Sequence, residues 1–409
     1  MKRAMKFLVP IRSRRLISLI RHESKIYNIK SSVFRESDID FDELKNICSE
    51  ETLKDNYPLS DSISNNVVIY DAKDFGSFVG NIEQEMKLKT EMHHVLENGP
   101  GVFVIRNLYS EDVIDQSNAI FEKIVEKESS SSNDHFASGA NTRIWNSFQK
   151  VALENADAFI NYYSNDLVKI IAESWCGPNS QMTAQVNIVR PGGEMQKPHR
   201  DYHLGFQENE VVEKFPISVH RLSNYLTLQG GVAHTDMPLE SGPTIVLPYS
   251  HQYDLGYLTW RDSEFGEFFN QYSVQNSMSK GDGIFFNPAI FHAAGSNTTN
   301  DFHRIGNLLQ ISSAFGKTME HIDYIKIISH IYPYLLNHKT LSERLIENVL
   351  ICATDGYAFP TNLDSDKNSD SKLQSMSMFE LTKQSLLDSV SSKKFNSKLL
   401  EHQQVRLAG

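Results

Sequence analysis

The segment Gly281-Asp-Gly-Ile-Phe-Phe-Asn-Pro-Ala-Ile-Phe-His292 sets the architecture of this chain. Gly283–Phe286 lies between a Gly-Asp turn and an Asn-Pro turn, the pattern of a short buried strand that delivers a histidine at its far side. Residues 181–316 share that texture. Runs rich in β-branched, aromatic and other apolar residues at Gln185–Val189, Leu222–Leu228, Thr244–Leu247, Gly283–Phe286 and Gly306–Ser312 alternate with Gly, Pro, Asn and Ser. Regular short strands with turn punctuation predict a β-sandwich or a jelly roll, the latter a double-stranded β-helix of cupin-like type.

On either side the pattern is helical. Val67–Tyr70 and Gly101–Arg106 read as strands, Phe78–Leu96, Ser110–Lys127 and Ala156–Trp175 as helices, with Ser110 an N-cap. Ser129–Asp134 reads as a polar loop. Helix returns from Lys317 to about Ile351, then a polar loop at Asn362–Ser371 and more helix from Met378. The expected fold class is therefore α+β: a jelly-roll core flanked by N- and C-terminal helices. The expected divisions are 1–65, an extension; 66–180, a helical flank with the first strands; 181–316, the catalytic core; and 317–409, a helical extension.

Composition narrows the function. The 409 residues hold 40 Lys+Arg against 51 Asp+Glu, a net charge of −11 that argues against a general nucleic-acid binder. No apolar run is long enough to span a membrane. Three dispersed cysteines exclude a disulfide scaffold or a cysteine zinc module and fit a reducing compartment. The first 30 residues carry nine Lys/Arg and one acid, Glu23, and residues 31–60 reverse this with eight acids. The expected location is cytoplasmic, with the mitochondrial matrix as the alternative that the basic stretch Met1–Arg21 leaves open.

Chemistry enters through three His-x-Asp triplets: His199-Arg-Asp201, His234-Thr-Asp236 and His321-Ile-Asp323. In extended chain, residues i and i+2 share a side and can bind one metal ion; on a helix they diverge. His321–Asp323 falls in the expected helix and is discounted. His199–Asp201 follows a turn, Arg190-Pro-Gly-Gly193, out of a strand, and 93 residues later comes His292. Two histidines and a carboxylate form the facial triad of non-haem Fe(II) oxygenases, which leaves positions open for a bidentate 2-oxo acid and O2. Arg304, on or entering the next strand, has the planar fork that binds the acid's distal carboxylate. His234–Asp236 stays as a second candidate pair, a hydrogen-bonded turn and a surface ion pair are the plainer readings of His199–Asp201 and Arg304, and His251 reads as a loop or rim residue.

These residues resemble the phytanoyl-CoA dioxygenase family of Fe(II)- and 2-oxoglutarate-dependent oxygenases over about Gly101–Gly316. The strand and helix from Gly101 to Val113, Gln185-Val-Asn187-Ile-Val-Arg-Pro-Gly192, Glu240-Ser-Gly-Pro-Thr-Ile-Val-Leu-Pro-Tyr-Ser-His251 and Gly281-Asp282 carry the likeness. The resemblance implies that His199, Asp201 and His292 bind iron, that Arg304 holds the 2-oxoglutarate carboxylate and that Asn187 faces the co-substrate. It also implies hydroxylation of a C–H bond with release of succinate and CO2. The family's halogenating relatives lack the carboxylate that Asp201 supplies.

One position departs. Where the family often has a hydroxyl residue two places after the distal histidine, this chain has Ala294, so Thr227, Tyr225 or Gln185 is expected to help Arg304. Arg200, Tyr202 and His203, beside the triad, are the candidate substrate contacts; Arg190 and Arg143 could meet an anionic group. The expected partner is a small-molecule substrate. A non-catalytic jelly-roll binding protein and a zinc-dependent cupin-like hydrolase or isomerase are the other readings, since zinc also accepts two His and a carboxylate.

Overall fold

The computed structural model describes residues 31–128, 141–366 and 375–407. Met1–Arg21, Ser129–Asp134 and the second half of Asn362–Ser371 lie outside the described residues. The strands, in chain order, are β1 (Ser62–Ser64), β2 (Val67–Asp71), β3 (Val102–Arg106), β4 (Asn141–Ile144), β5 (Gln181–Val189), β6 (Thr227–Ala233), β7 (Thr244–Leu247), β8 (Val274–Gln275), β9 (Gly283–Phe286), β10 (Phe291–Ala294) and β11 (Arg304–Ser312). They form an eight-stranded sheet, β1-β2-β3-β9-β6-β11-β5-β4, and a three-stranded sheet, β10-β7-β8. All pairs but β2/β3 are antiparallel. The result is a mixed α+β jelly roll.

Period-two alternation explains where each side chain goes. Along β5, Met182, Ala184 and Val186 enter the large core beneath the helices, and Thr183, Gln185 and Asn187 occupy the alternate positions. β11 repeats the scheme: Leu309 and Ile311 join that core, while Arg304, Gly306, Leu308 and Gln310 border a cavity on the inner face. At the other end of the large sheet, Val67, Ile69, Val102, Val104, Ile284 and Phe286 fill the space between the sheets with apolar side chains. Burying each of these is worth about 1.5–3 kcal/mol, so that end closes. The β6-β11-β5-β4 end, with polar residues on its inner face, stays open as a cavity of about 830 Å³.

Three expectations about elements need correction. Leu222–Leu228 is not a strand: Ile217–Tyr225 is a helix that buries His220 and Ser223 at i, i+3 spacing, and β6 starts only at Thr227. Ala156–Trp175 is two helices, Ala156–Tyr163 and Asp166–Cys176. Between them the Asn165 side chain accepts from the amides of Leu167 and Val168 and so starts the second. Helix after Lys317 begins at Tyr324 and breaks between Asn337 and Glu343. His321–Asp323 therefore precedes the helix rather than lying in it, and Asp323 caps it by accepting from the Lys326 amide.

Candidate metal centre and its cavity

β5 ends at Val189 and the chain turns through Gly192, whose φ of +81° lies in the left-handed region. It returns across the mouth of the sandwich so that His199 and His292 pair as an antiparallel bridge. The His199 amide donates to the His292 carbonyl (3.0 Å) and the His292 amide to the His199 carbonyl (3.1 Å). Two histidines 93 positions apart are thereby fixed side by side, with ring centroids 4.6 Å apart and planes tilted by 51°. His292 lies on β10, opposite Val246 of β7.

Each imidazole is oriented from behind. His199 Nδ1 lies 2.7 Å from the Lys197 carbonyl and His292 Nδ1 3.0 Å from the Ile290 carbonyl. A carbonyl can only accept, so both Nδ1 atoms carry a proton, and Nε2 is the atom that each ring has left to offer an ion. Those atoms converge on one carboxylate: His199 Nε2 is 3.4 Å from Asp201 Oδ1, and His292 Nε2 is 3.4 Å from Asp201 Oδ2. Ligand atoms of all three residues lie within 4.8 Å of one another, and among the described residues this is the one such group of His, Cys, Asp and Glu. Gln229 on β6 donates its Nε2 to Asp201 Oδ2. Burial alone would raise the Asp201 pKa, but the adjacent imidazoles overrule it and hold the carboxyl well below its usual range. Burial likewise works to lower the His199 pKa, and Asp201 turns the net shift upward. The arrangement can hold a divalent cation on three protein atoms and leaves the cavity side open.

Arg304, the first residue of β11, is 5% exposed, and its NH1 donates to the Ser241 and Gly295 carbonyls at 3.1 and 3.3 Å. Burial pushes its pKa down to about 10. Two carbonyls fix the guanidinium without neutralising it, in the same cavity as the triad. Such a cation invites an anion. Ala294 borders the cavity too, and directly across the β10/β7 pair stands Thr244, also on the cavity wall. Directly opposed residues share a face, so the hydroxyl missing at position 294 is available from the neighbouring strand. The signal was readable in Pro243-Thr244, but only with the strand register known.

Other expectations divide. Asn187 and Gln185 border the cavity, and Gln185 Oε1 accepts from buried Arg143 at 3.1 Å. Thr227 and Tyr225 do not border it; the Tyr225 hydroxyl donates to Glu97 on the outer surface. Arg200 borders the cavity, but its NH2 donates to the Ser250 and Tyr253 carbonyls and its guanidinium lies over Phe291, 4.6 Å from the ring centroid. It is a core residue. Tyr202 and His203 leave the cavity as well. Their φ values of +62° and +37° mark a sharp turn straight after Asp201, which carries Tyr202 into the interior and sets His203 Nδ1 against Ser223 Oγ. Gly205 makes the turn possible, because a Cβ there would lie 2.2 Å from the Arg200 carbonyl oxygen. Arg190 donates to Thr142. His251 is no rim residue: it is buried, with Nε2 3.2 Å from the Glu97 carbonyl.

A jelly roll with two oriented imidazoles, a carboxylate and a buried arginine around one cavity belongs to the class of non-haem metal oxygenase folds. The family model for phytanoyl-CoA dioxygenase (PhyH) matches residues 98–305, about half of the chain, and the protein belongs to that family, whose members use Fe(II) and 2-oxoglutarate. None of the curated proteins matches the chain. Among solved structures it is similar to the non-haem alpha-ketoglutarate-dependent carbocyclase SnoK from nogalamycin biosynthesis, at 19% identity over 56% of this chain and 86% of that one, with a TM-score of 0.44. It is also similar to the epimerase SnoN from the same biosynthesis, at 16% identity over 56% and 84%, with a TM-score of 0.42. Among the described residues no helix is long and apolar enough to cross a membrane.

Proposed function

We propose that the chain is an Fe(II)- and 2-oxoglutarate-dependent dioxygenase that hydroxylates a C–H bond of a small-molecule metabolite. One observation carries the reading: two imidazole Nε2 atoms and a carboxylate converge in the same cavity as a buried arginine held only by carbonyls. His199, Asp201 and His292 would hold the iron, and the donor set of two imidazoles and one carboxylate suits it. Bound there, iron with 2-oxoglutarate and O2 supplies oxidative decarboxylation to succinate and CO2 and the insertion of one oxygen atom into the substrate.

The protein's own part is positional. The Lys197 and Ile290 carbonyls keep both Nε2 atoms aimed inward, and Gln229 holds the Asp201 carboxylate in place. Arg304 binds the distal carboxylate of 2-oxoglutarate, and the Thr244 hydroxyl donates to it from the strand facing Ala294.

Anaerobic titration of the apo-protein with Fe(II) and 2-oxoglutarate tests the reading. The expected result is the weak visible charge-transfer band of a chelated 2-oxo acid, weakened in Asp201→Ala and in Arg304→Ala. Iron binding without a band would reject the 2-oxoglutarate assignment and bring forward the zinc-type or non-catalytic reading.

A further inference from the structure

β11 carries Arg304 and Gln310 on one face, six residues or about 20 Å of extended chain apart. The cavity thus has two ends, and the Arg304 end is the one suited to 2-oxoglutarate. At the other end a row of polar side chains crosses the large sheet. Gln229 stands opposite Gln310, Gln310 opposite Thr183, and Gln185 and Arg143 follow on β5 and β4. All five are buried, with Gln310 only 5% exposed. Gln310 Oε1 accepts from Thr183 Oγ1 at 3.3 Å and from Gln185 Nε2 at 3.5 Å. No hydrogen bond among the described residues uses its Nε2, which is not sealed away but opens to the cavity that the residue borders. Through the β11/β6 register it is one strand away from Gln229, the residue that holds Asp201.

A buried amide kept half-used next to a reactive centre calls for a ligand. The β3/β9 end of the same inner face is apolar by contrast: Val102 and Val104 are packed away, and Ile284 and Phe286 border the cavity. We propose that the Gln310 row is the substrate-reading end of the cavity, and that the substrate is a compact polar molecule presenting a carbonyl, carboxylate or hydroxyl oxygen to Gln310 Nε2. A long acyl chain laid on this row would displace water from the donor without replacing its hydrogen bond, and lose affinity. The inference rests on the dioxygenase reading for the reaction, but not for the ligand chemistry.

Gln310→Glu tests it, because it keeps the acceptor that Thr183 and Gln185 use and removes only the Nε2 donor. A donor open to the cavity serves a ligand rather than the empty fold, so the variant is expected to hold the apo-protein Tm within about 2 °C of wild type. The anaerobic Fe(II)/2-oxoglutarate band should stay, because Arg304 and the triad are untouched. A Tm lowered by more than about 4 °C would make the Nε2 donor structural and overturn the proposal. So would succinate release by the wild-type protein stimulated by octanoyl-CoA or palmitoyl-CoA. A wild-type protein without the band rejects the dioxygenase reading instead, and leaves the Tm comparison fully interpretable.

Discussion

His199-Arg-Asp201 and His234-Thr-Asp236 are near-identical as sequence and unlike as structure. The first crosses the open end of the sandwich, with both side chains directed at one point and His292 beside them. The second follows β6 out of the sheet. There His234 is fully buried with Nδ1 2.8 Å from Asn118 Oδ1 and Nε2 3.0 Å from the Tyr162 hydroxyl, while Asp236 is exposed and accepts from the Lys280 amide. Both nitrogens of His234 are taken by Asn118 and Tyr162, whereas each cavity histidine uses one nitrogen for orientation and turns the other toward Asp201 and the cavity. The triplet is only a spacing; what a spacing does depends on which face the strand presents and on what already satisfies the ring.

The sharpest way to break this contrast is to remove the carboxylate from each triplet. Asp201→Ala is expected to lower Fe(II) affinity by more than about 100-fold and abolish the 2-oxoglutarate band, since loss of outer partners alone costs 10–100-fold. Asp236→Ala should leave both at the wild-type level. Isothermal titration with Fe(II) under argon reads the pair, and equal losses would mean that the wrong triplet has been assigned.

Arg304 extends the comparison from the metal to the co-substrate. Truncating one partner of a buried charge pair costs about 2–5 kcal/mol, so Arg304→Ala should weaken 2-oxoglutarate about 100-fold or more with Fe(II) affinity retained. Thr244→Val, which keeps the shape and removes the hydroxyl, should cost roughly 10-fold, the worth of one hydrogen bond to a charged group. A Thr244→Val protein with unchanged 2-oxoglutarate affinity would mean that Arg304 needs no help, and that Ala294 marks no compensated loss.

How much of this was legible follows the same logic. His199, Asp201, His292 and Arg304 could be picked out because period-two spacing and order along the chain survive in a linear sequence. Thr244 could not, because its relation to Ala294 is a cross-strand register set by the β7/β10 pairing. Arg200, Tyr202 and His203 were expected to face substrate as neighbours of the triad. The turn at Tyr202 and Gly205 breaks the extended geometry on which that expectation depended. The Leu222–Leu228 stretch went wrong differently: its apolar and aromatic content suits a strand, but Leu222 is 51% exposed, and the residues the helix buries are His220 and Ser223.

The smallest effect on the metal, and a distinct effect on stability, is expected at His234. Burial pushes its pKa down to about 3 from the ordinary 6.5. A histidine whose folded pKa is depressed contributes stability that is fully present above 6.5. That contribution is lost as pH falls from there toward 3, because the unfolded chain takes up the proton first. Within that window the single group adds a slope of up to about 1.4 kcal/mol per pH unit. His234→Gln keeps a polar side chain beside Asn118 and Tyr162 but cannot titrate. It should therefore be less stable than wild type at pH 7.5, by about 1–2 kcal/mol for imperfectly replaced hydrogen bonds, and lose less on acidification. Urea unfolding of both proteins at pH 7.5, 6 and 5 isolates the difference from the carboxylates they share. Parallel curves would show that His234 titrates as freely as an exposed histidine, and that the two triplets are less different than their hydrogen bonds imply.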